Sequence, residues 1–177
     1  MNQKALVLID FQKEWMNPTS DYFVGDISAV IRKVNELIDK CRSLGYKIIF
    51  TLHEEVGSTT AFVPNSDNAS LIDELHNAEN DVVIIKNKIS PFYKTNLEEE
   101  LKGIGEVVVC GLLTNLCVRS FIQDAYDRDF QITVVTDCCV ARTSETQEFT
   151  LQDLKEERVE IIFLTHEEFM KASLERS

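Results

Sequence analysis

Residues 106–118 of the chain read EVVVCGLLTNLCV, a valine-rich run that passes at once into a glycine, two leucines and a polar turn. So compact an apolar run is typical of a strand that is buried on both faces of a parallel sheet. Five further runs of this kind occur at residues 4–9, 47–52, 81–85, 131–135 and 160–163. Six such strands separated by helical segments predict a three-layer αβα fold with a six-stranded parallel sheet.

Helical periodicity fills the intervals between these strands. The clearest amphipathic segment covers residues 27–44 and ends before Gly45. Further helices are predicted at residues 69–76, 96–102, 116–128, 144–157 and from residue 166 onward. Residues 54–68 form the least regular stretch, and a loop of that length in a compact domain is more often functional than idle. Because no repeat or linker interrupts the pattern, we predict a single domain over residues 1–177.

Composition narrows the possible roles of the protein. The chain has 177 residues, 44% of them hydrophobic, and a formal net charge of −12. A surface with this much negative charge repels phosphate backbones and anionic lipids. We therefore expect neither a nucleic-acid nor a membrane partner. The first apolar run has no cleavage-site pattern behind it, and the five cysteines are an odd number without metal-knuckle spacing. We therefore expect a cytoplasmic protein with reduced thiols.

Three chemically useful side chains follow the carboxyl ends of three predicted strands. Asp10 ends the first strand, Lys86 follows the third, and Cys117 lies in the turn after the fourth. Ligands bind at this edge of an open α/β sheet, so a carboxylate, an ammonium and a thiol are expected to meet there. That combination provides a thiol nucleophile with groups to handle its proton.

Each of these residues also has a purely structural interpretation. Cys117 alone is more often a buried cysteine of a first helical turn, Asp10 a cap, and Lys86 a solvated surface lysine. The functional interpretation of Cys117 predicts that the positive end of the following helix favours its thiolate. The convergence of all three residues favours the functional interpretation.

Other catalytic and nucleotide-binding motifs are missing from the sequence. No glycine-rich dinucleotide or phosphate-binding motif follows a predicted strand, and no HExxH pair is present. Ser120, the serine nearest the turn after the fourth strand, lacks the flanking glycines of a nucleophile elbow. We therefore expect no nucleotide cofactor and no serine hydrolase.

Three segments resemble the isochorismatase-like cysteine hydrolases, the superfamily that includes the nicotinamidases. Residues 8–12 (LIDFQ) resemble its D-x-Q start, residues 86–97 (KNKISPFYKTNL) its K-x-x-x-S-x-F-x-x-T-x-L segment, and residues 109–118 (VCGLLTNLCV) its G-x-x-T-x-x-C-V nucleophile turn. The segments occur in the family's order, and the resemblance covers nearly the whole chain.

The resemblance implies a catalytic triad of Asp10, Lys86 and Cys117. It also implies a cis peptide between Leu112 and Leu113, with the backbone amides of Leu113 and Cys117 forming an oxyanion hole. In the implied mechanism Cys117 attacks a carbonyl after Asp10 takes its proton, and water then hydrolyses the thioester. The family forms dimers and tetramers, so the resemblance also implies a homo-oligomer.

Substrate contacts are predicted for Gln12, Trp15, His53 and Phe92. Family members that cleave nicotinamide bind a metal through a D-x-H element after the second strand, where this chain has His53 and Glu55. A His and a Glu two residues apart offer zinc only two ligands, so we predict no metal and no cofactor.

The sequence thus predicts a cysteine hydrolase that cleaves a C–N bond of a small amide, carbamoyl or ureido compound. Two alternatives stay open. The first is a metal-dependent nicotinamidase. The second is a member of the same fold that is catalytically silent or serves as a redox sensor through Cys117.

Overall fold

The computed structural model describes residues 3–174, which contain six strands and five α-helices. The strands are β1 (Gln3–Ile9), β2 (Lys47–His53), β3 (Val82–Lys86), β4 (Ile104–Leu112), β5 (Gln131–Val140) and β6 (Ile162–Leu164). They form one sheet in the order β3-β2-β1-β4-β5-β6, and every neighbouring pair is parallel. The predicted α/β fold with a six-stranded parallel sheet is confirmed.

The helices cover the two faces of this sheet. They are α1 (Ser28–Ser43), α2 (Leu97–Glu100), α3 (Arg119–Tyr126), α4 (Ser144–Glu157) and α5 (His166–Leu174). The chain moves from β1 to β2 in one direction and from β4 to β5 in the other. Because both crossovers are right-handed, α1 and α3 lie on opposite faces. The direction reverses between β1 and β4, which is where an open sheet forms its binding crevice.

Three of the predicted helices differ in the structure. The helix predicted at residues 96–102 is limited to α2, and residues 69–76 form no helix. In the latter stretch the amide of Ile72 donates to the Phe11 carbonyl, and the amide of His76 donates to the Asn35 side chain. This stretch is therefore held mainly by the segment after β1 and by α1. Residues 116–128 divide into a turn of π-helix, Thr114–Val118, and the shorter α3.

The centre of the sheet leaves no room for a side chain at Gly111. This residue of β4 lies opposite Ile9 of β1 and has a φ of +146°, in the region that favours glycine. A Cβ at this position would lie 2.2 Å from the Ile9 carbonyl oxygen. Glycine thus allows β1 and β4 to approach closely just before their carboxyl ends.

The helices are too short or too polar to span a lipid bilayer. Within residues 3–174, none of them combines the length and the apolar character that crossing a bilayer demands.

Candidate active site

Asp10, Lys86 and Cys117 meet at the carboxyl edge of the sheet. Asp10 directly follows β1, Lys86 is the last residue of β3, and Cys117 lies in the π-helical turn after β4. The Lys86 Nζ atom lies 2.8 Å from Asp10 Oδ2 and 3.4 Å from Cys117 Sγ. Asp10 and Lys86 have fully buried side chains, and Cys117 is half-buried. The three groups that the sequence places at strand ends are thus in mutual contact.

The backbone around Asp10 is held in an unusual conformation. Asp10 has a φ of 52°, and its carbonyl accepts hydrogen bonds from the Trp15 indole at 2.7 Å and from the Gln12 amide at 2.8 Å. Its own amide donates to Thr51, to the carbonyl at 3.1 Å and to the hydroxyl at 3.2 Å. Because hydrogen bonds hold the main chain on both sides of Asp10, the backbone leaves the strand at this residue and the carboxylate faces Lys86.

Lys86 is a charged group at the centre of the site. Its ammonium lies 3.2 Å from the Lys88 carbonyl and 3.5 Å from His53 Nδ1, in addition to its contacts with Asp10 and Cys117. Burial by itself lowers the pKa of Lys86, but the adjacent Asp10 carboxylate and Cys117 sulfur outweigh burial, so the pKa is raised. Lys86 therefore stays protonated and forms a buried ion pair with Asp10.

The resting form of Cys117 corrects one expectation from the sequence. Burial, followed by the neighbouring Asp10 charge, raises the pKa of Cys117 to about 12, although Lys86 acts in the opposite direction. The prediction that the site favours the thiolate is therefore wrong for the free protein. The expected helix dipole is also displaced, because Cys117 precedes α3 within a π-helical turn. Cys117 is a neutral thiol close to the Asp10 carboxylate, with the Lys86 ammonium in contact with both.

The turn that carries Cys117 is closed by backbone hydrogen bonds. The peptide bond between Leu112 and Leu113 is cis. The Leu113 carbonyl accepts from the amide of Leu116 at 3.0 Å and from the amide of Val118 at 3.2 Å. These bonds wrap the backbone around Cys117 and fix the direction of its side chain.

Gln12 has a different role from the predicted substrate contact. Its side chain is fully buried, and its amide nitrogen donates to the carbonyls of His53 at 2.8 Å and Ala69 at 2.7 Å. Its amide oxygen accepts from the backbone nitrogen of His53 at 2.8 Å. Both ends of the side chain are thus bound to backbone. Gln12 joins the ends of β1 and β2 to the loop that follows β2.

We expect Gln12→Leu to lower the free energy of unfolding by about 3 kcal/mol, because it leaves buried peptide groups of His53 and Ala69 without partners. Urea denaturation measures this loss. Gln123→Leu, on the exposed surface of α3, is the matched control and is expected to change stability by no more than about 0.5 kcal/mol. A cost below about 1 kcal/mol for Gln12→Leu would contradict the bracing role.

The other predicted substrate contacts occupy different surroundings. Trp15 is buried and supports the Asp10 carbonyl. His53 lies beside the site, between Lys86 and Glu55. Phe92 is stacked on Phe121 of α3 at 5.6 Å, with the Arg128 guanidinium over its ring. Phe92 thus packs α3 against the loop after β3.

His53 and Glu55 do not fit a zinc ion. The two side chains lie 3.3 Å apart, but the second ring nitrogen of His53 lies 3.5 Å from the Lys86 ammonium. A cation bound here would be repelled by Lys86 and would have only two ligands. Across residues 3–174, no three His, Cys, Asp or Glu side chains are arranged as a metal site. We therefore derive no catalytic step through a metal.

A hollow of about 420 Å³ near the site is lined by Tyr22, Glu55 and Phe62, among others. Phe62 contacts the His53 ring at 5.4 Å, and it also packs edge-on against Trp15 and Tyr22. The loop after β2, whose irregular sequence favoured a functional role, therefore forms a wall next to the site.

The comparison with protein families gives a match over most of the chain. The family description "Isochorismatase domain" matches residues 4–167. The chain belongs to the isochorismatase family. Isochorismatase-family proteins are hydrolases, and one solved structure with this fold is described as a cysteine hydrolase. The resemblance inferred from the three sequence segments is confirmed.

Individual proteins and solved structures are similar to this chain over most of its length. The chain is 28% identical over 165 residues to nicotinamidase 3 of Arabidopsis thaliana, covering 85% of this chain and 79% of that protein. A cysteine hydrolase from Pseudomonas syringae pv. phaseolicola 1448A superimposes with a TM-score of 0.90 at 20% identity, covering 99% of this chain and 94% of that one. Pyrazinamidase of Pyrococcus horikoshii in complex with zinc superimposes with a TM-score of 0.80 at 25% identity, over 92% and 99% of the two chains.

Proposed function

We propose that this isochorismatase-family protein is a cysteine-dependent amidohydrolase that cleaves a C–N bond in a small amide, carbamoyl or ureido compound. The observation that carries the proposal is the buried contact of Lys86 Nζ with both Asp10 Oδ2, at 2.8 Å, and Cys117 Sγ, at 3.4 Å. A neutral thiol, a carboxylate and a fixed ammonium are what acyl transfer to sulfur requires. Two of the similar proteins, a nicotinamidase and a pyrazinamidase, are named for amide hydrolysis.

The first half of the reaction forms a thioester. The thiol proton of Cys117 passes to Asp10 as the sulfur attacks the substrate carbonyl carbon and the carbonyl π pair moves to oxygen. The backbone amides of Leu113 and Cys117 are proposed to bind that oxyanion. When the tetrahedral intermediate collapses, the C–N bond breaks, and protonated Asp10 gives its proton to the departing nitrogen. Ammonia or an amine leaves, and the acyl group stays on sulfur.

The second half of the reaction regenerates the thiol. Asp10 takes a proton from a water molecule as the water oxygen attacks the thioester carbon, and the C–S bond then breaks. The proton returns from Asp10 to the sulfur as the carboxylic acid leaves. Lys86 stays charged throughout, so it stabilises the anion on Asp10 or on Cys117 at each stage.

The raised pKa of Cys117 disfavours the redox-sensor alternative. Peroxide-sensing cysteines are exposed and have a lowered pKa, because the thiolate is the form that reacts with peroxide. Cys117 is half-buried, and burial with the Asp10 charge raises its pKa to about 12. Such a thiol needs its proton removed during the reaction, which suits acid–base hydrolysis.

The proposal predicts that the purified protein releases ammonia from at least one compound in a panel of small primary amides, carbamoyl and ureido compounds. The ammonia is measured with a coupled glutamate dehydrogenase assay. Cys117→Ala is expected to abolish release, because the nucleophile is gone, whereas Cys41→Ala, which alters a buried thiol of α1, is expected to retain it. Nicotinamide is included with and without added zinc, so that a metal-dependent nicotinamidase would be recognised.

Two results would contradict the proposal. One is hydrolysis that Cys117→Ala leaves unchanged. The other is the absence of an acyl adduct on Cys117 when the turning-over enzyme is acid-quenched and its peptides are analysed by mass spectrometry.

A further inference from the structure

Thr51 lies at the point where β2 passes the catalytic carboxylate. It is paired with Ile9 in the register of β1 and β2, and none of its surface is exposed. Its position two residues before His53 places both side chains on one face of β2. Thr51 contacts Asp10 while His53 contacts Lys86. β2 thus supports both members of the ion pair although it carries neither.

The contact between Thr51 and Asp10 is reciprocal. The Thr51 hydroxyl donates to Asp10 Oδ1 at 2.6 Å and accepts from the Asp10 backbone amide at 3.2 Å. A hydroxyl has one proton to donate, so that proton is fully used by Oδ1. The same residue therefore holds both the backbone and the side chain of Asp10.

The two oxygens of the Asp10 carboxylate consequently have different surroundings. Oδ1 is bound by Thr51, whereas Oδ2 lies 2.8 Å from Lys86 Nζ. That ion pair is close but poorly aligned, and among residues 3–174 Oδ2 accepts no hydrogen bond of good geometry. Oδ2 thus has a lone pair that can still accept a proton, on the side of the carboxylate that faces Lys86.

We propose that Thr51 is a positioning residue that binds Oδ1 of Asp10 and so assigns the exchange of the Cys117 proton to Oδ2. This inference deepens the proposed amidohydrolase function and rests on it for the role of that proton. The charged or titratable groups around Asp10 are Lys86 from β3 and Cys117 from the π-helical turn, with His53 of β2 beyond Lys86.

The test observes the Asp10 carboxyl carbon directly and needs no substrate. Protein labelled with [4-¹³C]aspartate is studied by NMR at one fixed pH, and the Asp10 resonance is the one missing from Asp10→Asn. Thr51→Val keeps the shape of the side chain and removes the hydroxyl, so the Asp10 carboxyl resonance is expected to shift because Oδ1 loses its donor. Thr51→Ser keeps the hydroxyl and is expected to restore the wild-type resonance.

Thr133→Val is the matched control, because Thr133 is a buried threonine of β5 outside the site. An unchanged Asp10 resonance in Thr51→Val, or an equal shift in Thr51→Ser and Thr51→Val, would overturn the proposal. The second result would assign the effect to altered side-chain packing and not to loss of the hydroxyl.

A measurement on the wild-type protein covers the case in which Thr51→Val does not fold. A buried hydroxyl proton bound to a carboxylate exchanges slowly, so a Thr51 hydroxyl resonance is expected that moves in Asp10→Asn. A hydroxyl that exchanges freely with water would overturn the proposal. Since neither experiment depends on turnover, failure to find a hydrolysed amide would count against the proposed function and the role of the proton, but would leave the positioning of Asp10 by Thr51 intact.

Discussion

Asp10→Asn is expected to abolish amide hydrolysis and, at the same time, to make Cys117 react faster with iodoacetamide. Loss of the proton acceptor is expected to lower hydrolysis at least about 100-fold. Alkylation at pH 7.5 is expected to rise about tenfold or more, because a fall of one unit in a thiol pKa gives about tenfold more thiolate. The rates are measured by peptide mass spectrometry.

The sign of the alkylation effect follows from what surrounds the sulfur. Burial and then the Asp10 charge raise the pKa of Cys117, whereas Lys86 lowers it. Asn removes the negative charge and keeps the shape of the side chain, so Lys86 is left facing the sulfur alone. A buried ammonium without a counter-ion favours the thiolate as its new partner.

Two comparisons make this result specific to the site. Cys41, which is buried in α1, should stay unlabelled in both proteins as long as they are folded. Lys86→Met should also abolish hydrolysis but should slow the alkylation of Cys117, because it removes the cation. If Asp10→Asn slowed alkylation, Asp10 would be promoting the thiolate in the resting protein, and the neutral-thiol account would be wrong.

Gly111→Ala is expected to lower the free energy of unfolding by about 4 kcal/mol or more, among the largest costs of a single substitution. The new Cβ would lie 2.2 Å from the Ile9 carbonyl oxygen and 2.6 Å from the Ile9 Cβ. The first of these atoms belongs to the backbone, so no change of rotamer relieves the contact. β1 and β4 must separate, and this displaces Asp10 and Cys117 from each other.

Gly103→Ala is the matched control for the backbone conformation. Gly103 also has a positive φ, of +81°, but a Cβ there has nothing within 4 Å. Its substitution should cost only about 1 kcal/mol, from the strained backbone alone. Urea denaturation of both variants separates the cost of backbone strain from the cost of the steric clash. Equal losses of unfolding free energy in the two variants would show that β1 and β4 accommodate the new Cβ without loss of stability.

Much of the fold was predictable because buried parallel strands have a distinct composition. The six apolar runs correspond to the six strands, although β5 extends to Val140, five residues past its predicted end. That extension contains a shift in register against β4, which periodicity does not reveal. The helix predicted at residues 69–76 is absent for another reason. Its apolar residues Leu71, Ile72 and Leu75 fit a helical pattern, but tertiary hydrogen bonds to Phe11 and to Asn35 of α1 override it.

The cluster of Asp10, Lys86 and Cys117 was predictable because topology alone brings strand ends together. The charge state of Cys117 within this cluster was not predictable from the sequence. The expected preference for thiolate treated Cys117 as a helix-terminal cysteine, whereas the nearest charges are a carboxylate and an ammonium whose distances only the structure supplies. Thr51 and the bracing role of Gln12 were missed because threonine in a strand and glutamine after one have no pattern of their own. A polar residue inside the apolar run at 47–52 was the one available signal for Thr51.

The pairing of β1 with β4 has a consequence for the newly synthesised chain. Ala5 lies opposite Val107, so the central ladder of the sheet joins residues about one hundred positions apart. Until the ribosome has passed β4, β1 can pair only with β2, and its other edge stays open. Parallel sheets of such long-range pairing fold slowly and expose apolar edges meanwhile. The nascent protein should therefore depend on chaperones for longest at β1, the strand that leads into Asp10.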